Sequence, residues 1–154
     1  MKWELLSSTT KVTFRLPVGI RPRIIVFTPD GTRAYVTNQA SNTVSVIDTV
    51  ITTINVGIEP VGIVITPVGT RIYVVNKVSN TVSVISTLTN TVIGIIPVAL
   101  SPDQVTIIPD GTRAYVTNQA SNIVSVIDIA TNTVIATVPV GVAPTGIATG
   151  TICE

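Results

Sequence analysis

The chain has 154 residues, the length of one ordinary domain, and is 45% hydrophobic, 11% charged and 4% aromatic. Nine basic and eight acidic side chains leave a net charge of +1, which argues against nucleic acid as a partner and leaves little self-repulsion to oppose association. No run approaches the roughly 18 apolar residues of a membrane span, and the sequence contains no histidine, so His-based triads and the commonest metal ligand are excluded.

Val, Ile and Thr dominate, and these β-branched residues suit pleated strands, so an all-β chain is expected. Residues 1–10, "MKWELLSSTT", form a non-repeat N-terminal segment; Lys2 is present but the apolar stretch of a secretory leader is not. "KVTFRLPVG" at 11–19 reads as a single outer strand. Three repeats follow, at 20–57, 58–99 and 100–141. "PDGTRAYVTNQASN" occupies 29–42 and returns letter for letter at 109–122, with a degenerate copy between them. Tyr35, Tyr73 and Tyr115 mark the rhythm, as do Pro22, Pro60, Pro102 and Pro144.

Each repeat divides into four strands. The first is a short apolar run (Ile24–Phe27, Ile63–Thr66, Val105–Ile108), expected to be buried on both faces. It stops at Pro-x-Gly, where proline presets φ and glycine accepts a positive φ. "RAYVTN" is the second strand, "TVSVID" the third and "TVIATVPV" the fourth, with short turns between them. The first repeat is four residues shorter than the third after "VSVID", a deletion falling in a turn. Residues 142–154 are a partial repeat: "VAPTGIATG" matches a first strand and then the pattern fails. The lone cysteine, Cys153, cannot form an intrachain disulfide.

Four antiparallel strands in about 40 residues make one blade of a β-propeller. The expected fold is thus three full blades with a single strand at each end, over residues 11–154. The consecutive motifs "ITPDGTRAYVTN"-like turn and strand, "QASNTVSVID" and "VGxxP" resemble the YVTN-type β-propeller repeat, which is found in surface-layer and cell-surface proteins. The resemblance covers nearly all of 11–148 and implies an extracytoplasmic or cell-surface setting. A closed propeller needs about four to eight blades, so one chain forms an incomplete ring. Two chains would offer six full blades, so a homodimer completing the ring is the expected partner arrangement; a longer propeller of which this is a fragment is the alternative.

Recurrent residues have scaffold readings. Asp30 and Asp110 are turn formers, and Asp48, Ser86 and Asp128 cap the turn after the third strand. Tyr35, Tyr73 and Tyr115 are expected to anchor blade to blade, Asn38, Asn76 and Asn118 to bridge loop backbone, and Arg33, Arg71 and Arg113 to face solvent or a nearby Asp. Residues that vary between repeats are the candidates for binding. The connection after each Val-Gly step and the loop between strands two and three place Arg21, Arg23, Gln39, Glu59, Lys77, Asp103, Gln104 and Gln119 around one rim. No catalytic residue, metal ligand or cofactor is expected. The leading expectation is a non-catalytic scaffold presenting this rim for protein or self-association. The alternative is a hydrolase or oxidoreductase at the channel mouth, with Glu59 and Asp103 as its only carboxylates there.

Overall fold

The computed structural model describes residues 2–7, 10–49 and 51–150, with side chains described from residue 16 onward. Cys153 lies outside the described residues. Fourteen strands and no helix are found among them. An N-terminal hairpin joins β1 (Lys2–Ser7) to β2 (Thr10–Arg15). Blade one comprises β3 (Pro22–Phe27), β4 (Ala34–Asn38), β5 (Thr43–Ile47) and β6 (Thr52–Asn55). Blade two comprises β7 (Pro60–Ile65), β8 (Arg71–Asn76), β9 (Thr81–Ser86) and β10 (Thr91–Pro97). Blade three comprises β11 (Pro102–Ile107), β12 (Arg113–Asn118), β13 (Ile123–Asp128) and β14 (Thr133–Pro139). Each blade is one four-stranded antiparallel sheet with its strands in sequence order.

The ends differ from the single strands expected there. Lys2–Ser7, set apart from the repeat, pairs with Thr10–Arg15 in register Ser7↔Thr10 to Lys2↔Arg15. A lone outer strand would leave its backbone donors and acceptors without a ladder, and the preceding segment supplies one. Beyond Pro139 no strand forms among the described residues. The repeat pattern breaks after the first-strand copy there. That copy nevertheless lies along blade three, where Thr149 Oγ1 donates to the Ile107 carbonyl at 2.9 Å.

Alternation along the strands explains how the blades stack. In blade two, Tyr73, Val75, Val82, Val84 and Ile96 face blade three, while Ile63, Ile72, Val74 and Ile85 face blade one. The middle blade is covered on both faces, and β8 carries a continuous apolar run from Ile72 to Val75. Burying one such side chain is worth roughly 1.5–3 kcal/mol, which makes these two interfaces the main source of cohesion.

The polar residues of the second strand serve the strands beside it. Every inner strand carries a register shift just after its proline, at Pro22/Ile25, Pro60/Ile63 and Pro102/Val105. At that irregularity a backbone N–H leaves the ladder. Thr37 Oγ1 accepts it from Ile24 at 3.2 Å, and Thr117 Oγ1 accepts it from Gln104 at 3.0 Å. In blade two the matching residue is Val75, and Gly62 stands at the irregularity instead. A Cβ on Gly62 would come within 2.7 Å of the Asp103 carbonyl oxygen, so the inner strands of blades two and three approach too closely for any side chain there.

Asn38 and Asn76 depart from the expectation that they bridge loop backbone. Asn38 Nδ2 donates to Thr43 Oγ1 (3.1 Å) and Ser45 Oγ (2.9 Å) on the third strand, and Asn76 does the same with Thr81 and Ser83. In blade three Ile123 replaces the threonine, and Asn118 Nδ2 donates to the Val116 and Ile123 carbonyls as well as to Ser125 Oγ.

Candidate functional site

Both sets of rim loops meet at one end of the sheets. Gln39 N donates to the Arg21 carbonyl, Lys77 N to that of Glu59 and Gln119 N to that of Ser101, each at 2.9 Å. A serine reinforces each pair: Ser41, Ser79 and Ser121 Oγ accept from the N–H of Ile20, Ile58 and Leu100. The residue before each proline has a positive φ, at Arg21, Glu59, Ser101 and Ala143 (52–56°). This conformation recurs in all four connections regardless of side chain, so the scaffold demands it and it is no mark of a site.

A second stitch crosses between blades. Asn42, Asn80 and Asn122 Oδ1 accept from the N–H of Glu59, Ser101 and Ala143, each in the connection leading onward. These asparagines were not among the candidate residues, although "SN" at 41–42, 79–80 and 121–122 was their signal. Exact recurrence marks them as scaffold.

Of the eight rim candidates, three side chains come together. Lys77 Nζ lies 3.4 Å from Asp103 Oδ1 and donates to Gln119 Oε1 at 3.1 Å. The cluster joins the β8–β9 loop of blade two to the β11 start and β12–β13 loop of blade three. It is half-buried, so its ion pair is less screened than one in open solvent. Gln104 uses its backbone N–H and carbonyl with Thr117, and its side chain is half-buried. Gln39 is half-buried with its Oε1 unpartnered among the described residues. Arg21 and Arg23 are exposed, and Glu59 is half-buried. Thus Asp103 is engaged with a cation, and Glu59 is held chiefly through its backbone.

At the opposite end, between blades two and three, lies a cleft of about 470 Å³ lined by Thr66, Arg71, Asp110, Thr112 and Asp128 among others. Its carboxylates are committed to turns. Asp110 Oδ1 accepts from Thr112 N and Oγ1, both at 2.8 Å, and Asp128 Oδ1 from Thr131 N (2.8 Å) and Oγ1 (2.9 Å). The Thr112 and Thr131 backbone donors, then their hydroxyls, hold the respective carboxyls below the usual range. Asp30 is held at about 2, chiefly by the Thr28 hydroxyl at 2.5 Å and then by Thr32.

The tyrosines and arginines knit neighbouring blades at this end. Tyr35 OH donates to Asn90 Oδ1 (2.8 Å), and Tyr73 OH to Asn132 Oδ1 (2.7 Å). Burial raises the pKa of both phenols. Arg33 Nη1 donates to the Thr87 carbonyl and Arg71 Nη1 to that of Ile129. Arg33 also pairs with Asp48 at 3.7 Å, as expected, but the reach into the next blade is what sequence reasoning missed.

A family model described as "Lactonase, 7-bladed beta-propeller" matches residues 3–138. No functionally curated protein matches the chain. Among solved structures it resembles the hydrazine synthase of Kuenenia stuttgartiensis, at 29% identity and a TM-score of 0.77 over 90% of this chain and 41% of that one. A Bacteroides fragilis protein described as a candidate 6-phosphogluconolactonase matches at 24% identity and a TM-score of 0.72, over 83% and 42% respectively. Apo AztD from Citrobacter koseri matches at 14% identity and a TM-score of 0.70, over 94% and 42%. The last two likenesses show the fold alone. The chain spans about four-tenths of the length of each of these solved chains.

Proposed function

Because the chain belongs to the lactonase, seven-bladed β-propeller family, we propose that it is a non-catalytic portion of such a ring, with its axial rim serving as a surface for a protein partner. The observation that supports this reading is the Lys77–Asp103–Gln119 cluster. It neutralises the rim's half-buried lysine against a carboxylate and ties two blades together, which is work for a scaffold. Exposed Arg21 and Arg23 then leave the blade-one side of the rim cationic and suited to an acidic protein surface.

Within the family, the YVTN-type repeat is the proposed subclass. Its support is that each letter has a use repeated in at least two of the three blades. The tyrosine bridges to the next blade, the valine packs, the threonine answers the inner-strand irregularity and the asparagine holds the third strand.

The family description and the Bacteroides fragilis neighbour favour a second reading, lactone hydrolysis at the channel mouth. A lactonase assay on the purified chain with 6-phosphogluconolactone separates the two. The scaffold reading expects no hydrolysis above the spontaneous rate, and the same result for Asp103→Asn. Saturable turnover lost in Asp103→Asn or Glu59→Gln would overturn it.

A further inference from the structure

The two interfaces inside the chain share one rule, and the outward face of blade three repeats half of it. A tyrosine in the second strand of one blade donates to an asparagine in the next blade, at the last position of the turn between its third and fourth strands. That asparagine has a positive φ: 53° at Asn90 and 54° at Asn132. The arginine two residues before the tyrosine donates to the carbonyl of the turn's first residue, Thr87 or Ile129. Blade three carries the same donors, Arg113 and Tyr115, in the same strand register. Among the described residues neither makes a cross-blade bond.

The fourth-strand side of this face is also uncovered, although Val126 nearer the middle is buried. Ile54 and Ile96 are 6% and 2% exposed between blades, whereas Val138, at the matching position of blade three, is 46% exposed.

We infer that the outward face of blade three docks a further blade of the same repeat, one whose turn between third and fourth strands is four residues long and ends in asparagine. This rests on the ring-portion reading above, and it names the occupant. A second copy of this chain, added head to tail, does not meet the rule. Its β1–β2 hairpin, with Lys2–Ser7 paired to Thr10–Arg15, would be the edge it offers, in place of a turn like those between Ser86↔Thr91 and Asp128↔Thr133. Neither Lys2–Ser7 nor Thr10–Arg15 contains an asparagine. The phenol of Tyr115 would therefore be buried against an edge with no asparagine acceptor, at a cost of about 1–3 kcal/mol per unmet group. Continuity with the two existing interfaces, and a family of seven blades against three complete ones here, point to the same occupant.

The test extends the chain after Thr149 with a second copy of residues 108–154, which completes a fourth blade bearing its own Thr-Asn-Thr turn. Hydrogen exchange of residues 123–139 is followed in the full chain and in the extended one. Slowing of these amides by ~10-fold or more on extension is expected, with most of the gain lost when the appended turn asparagine is changed to alanine or when Tyr115 is changed to phenylalanine. Sedimentation of the unextended chain gives the other arm. A closed head-to-tail dimer with residues 123–139 already protected would overturn the inference in favour of a second copy. Protection on extension that is indifferent to both substitutions would also overturn it, because apolar burial alone would then choose the neighbour. Neither arm reads the rim, so a failure here is distinct from a positive lactonase assay.

Discussion

The face that blade two turns to blade three and the outward face of blade three are built from nearly the same letters but are covered to different extents: Thr117 and Val126 stay buried, while the fourth strand is open. Tyr73, Val75, Val82, Val84 and Ile96 project from blade two into a closed apolar interface. Tyr115, Thr117, Val124, Val126 and Val138 project from blade three at the corresponding positions, and Val138 is half exposed. The difference shows that a repeat residue owes its energetic role to its neighbour as much as to its own strand, as expected where each unit touches only the next.

The largest effect should come from the apolar pair. Ile96→Ala is expected to cost about 2–5 kcal/mol, since it removes buried methylenes and opens a cavity. Val138→Ala should cost under about 1 kcal/mol, because solvent already reaches that side chain. Urea titrations of the two variants measure this, and equal losses would break the comparison.

Glycine at the end of the fourth strand sharpens it. A Cβ on Gly57 would meet Asn76 Cγ at 2.7 Å, whereas nothing lies within 4 Å of a Cβ on Gly141. Gly57→Ala should therefore destabilise by about 1–3 kcal/mol through overpacking, and Gly141→Ala should be neutral within about 0.5 kcal/mol. Thermal melts of both single variants are sufficient.

Next comes the tyrosine hydroxyl. Tyr73→Phe leaves Asn132 Oδ1 without its donor and should cost about 1 kcal/mol. Tyr115→Phe should leave the stability of the unextended chain unchanged within error, by the same urea titration.

The smallest effect concerns acid. The Thr28 hydroxyl, then Thr32, holds the Asp30 carboxyl at about 2 against an ordinary 3.8. A depressed folded pKa means the unfolded chain takes up the proton first. The stabilising contribution is therefore present above about 3.8 and disappears as pH falls through about 2. Asp30→Asn should flatten the dependence of the urea midpoint on pH in that window. The blade-two turn, with Val68 at the matching place, has no such group to lose.

Much of this architecture was legible in the letters. The Pro-x-Gly turns have positive φ at Gly31, Gly69 and Gly111, and the chain is all-β with three four-stranded antiparallel sheets, as its letters led one to expect. Which rim residues meet was not legible, because Lys77, Asp103 and Gln119 lie on three separate segments, up to 42 positions apart. Their contact depends on how two blades are rotated about the axis. The N-terminal strand was missed for a related reason: "KWELLS" lacks the repeat's signature and is a strand because β2 offers it a ladder.

The sequence alone determined the periodicity, the strand order within each blade and the turn chemistry, because those depend on contacts between residues close along the chain. The tyrosines were expected between blades, but only the tertiary structure decided which groups the arginines and tyrosines bond. Their partners sit in the next blade, 54 to 59 positions away, and a hydrogen bond of that span is fixed by the stacking of sheets, which local pattern does not encode.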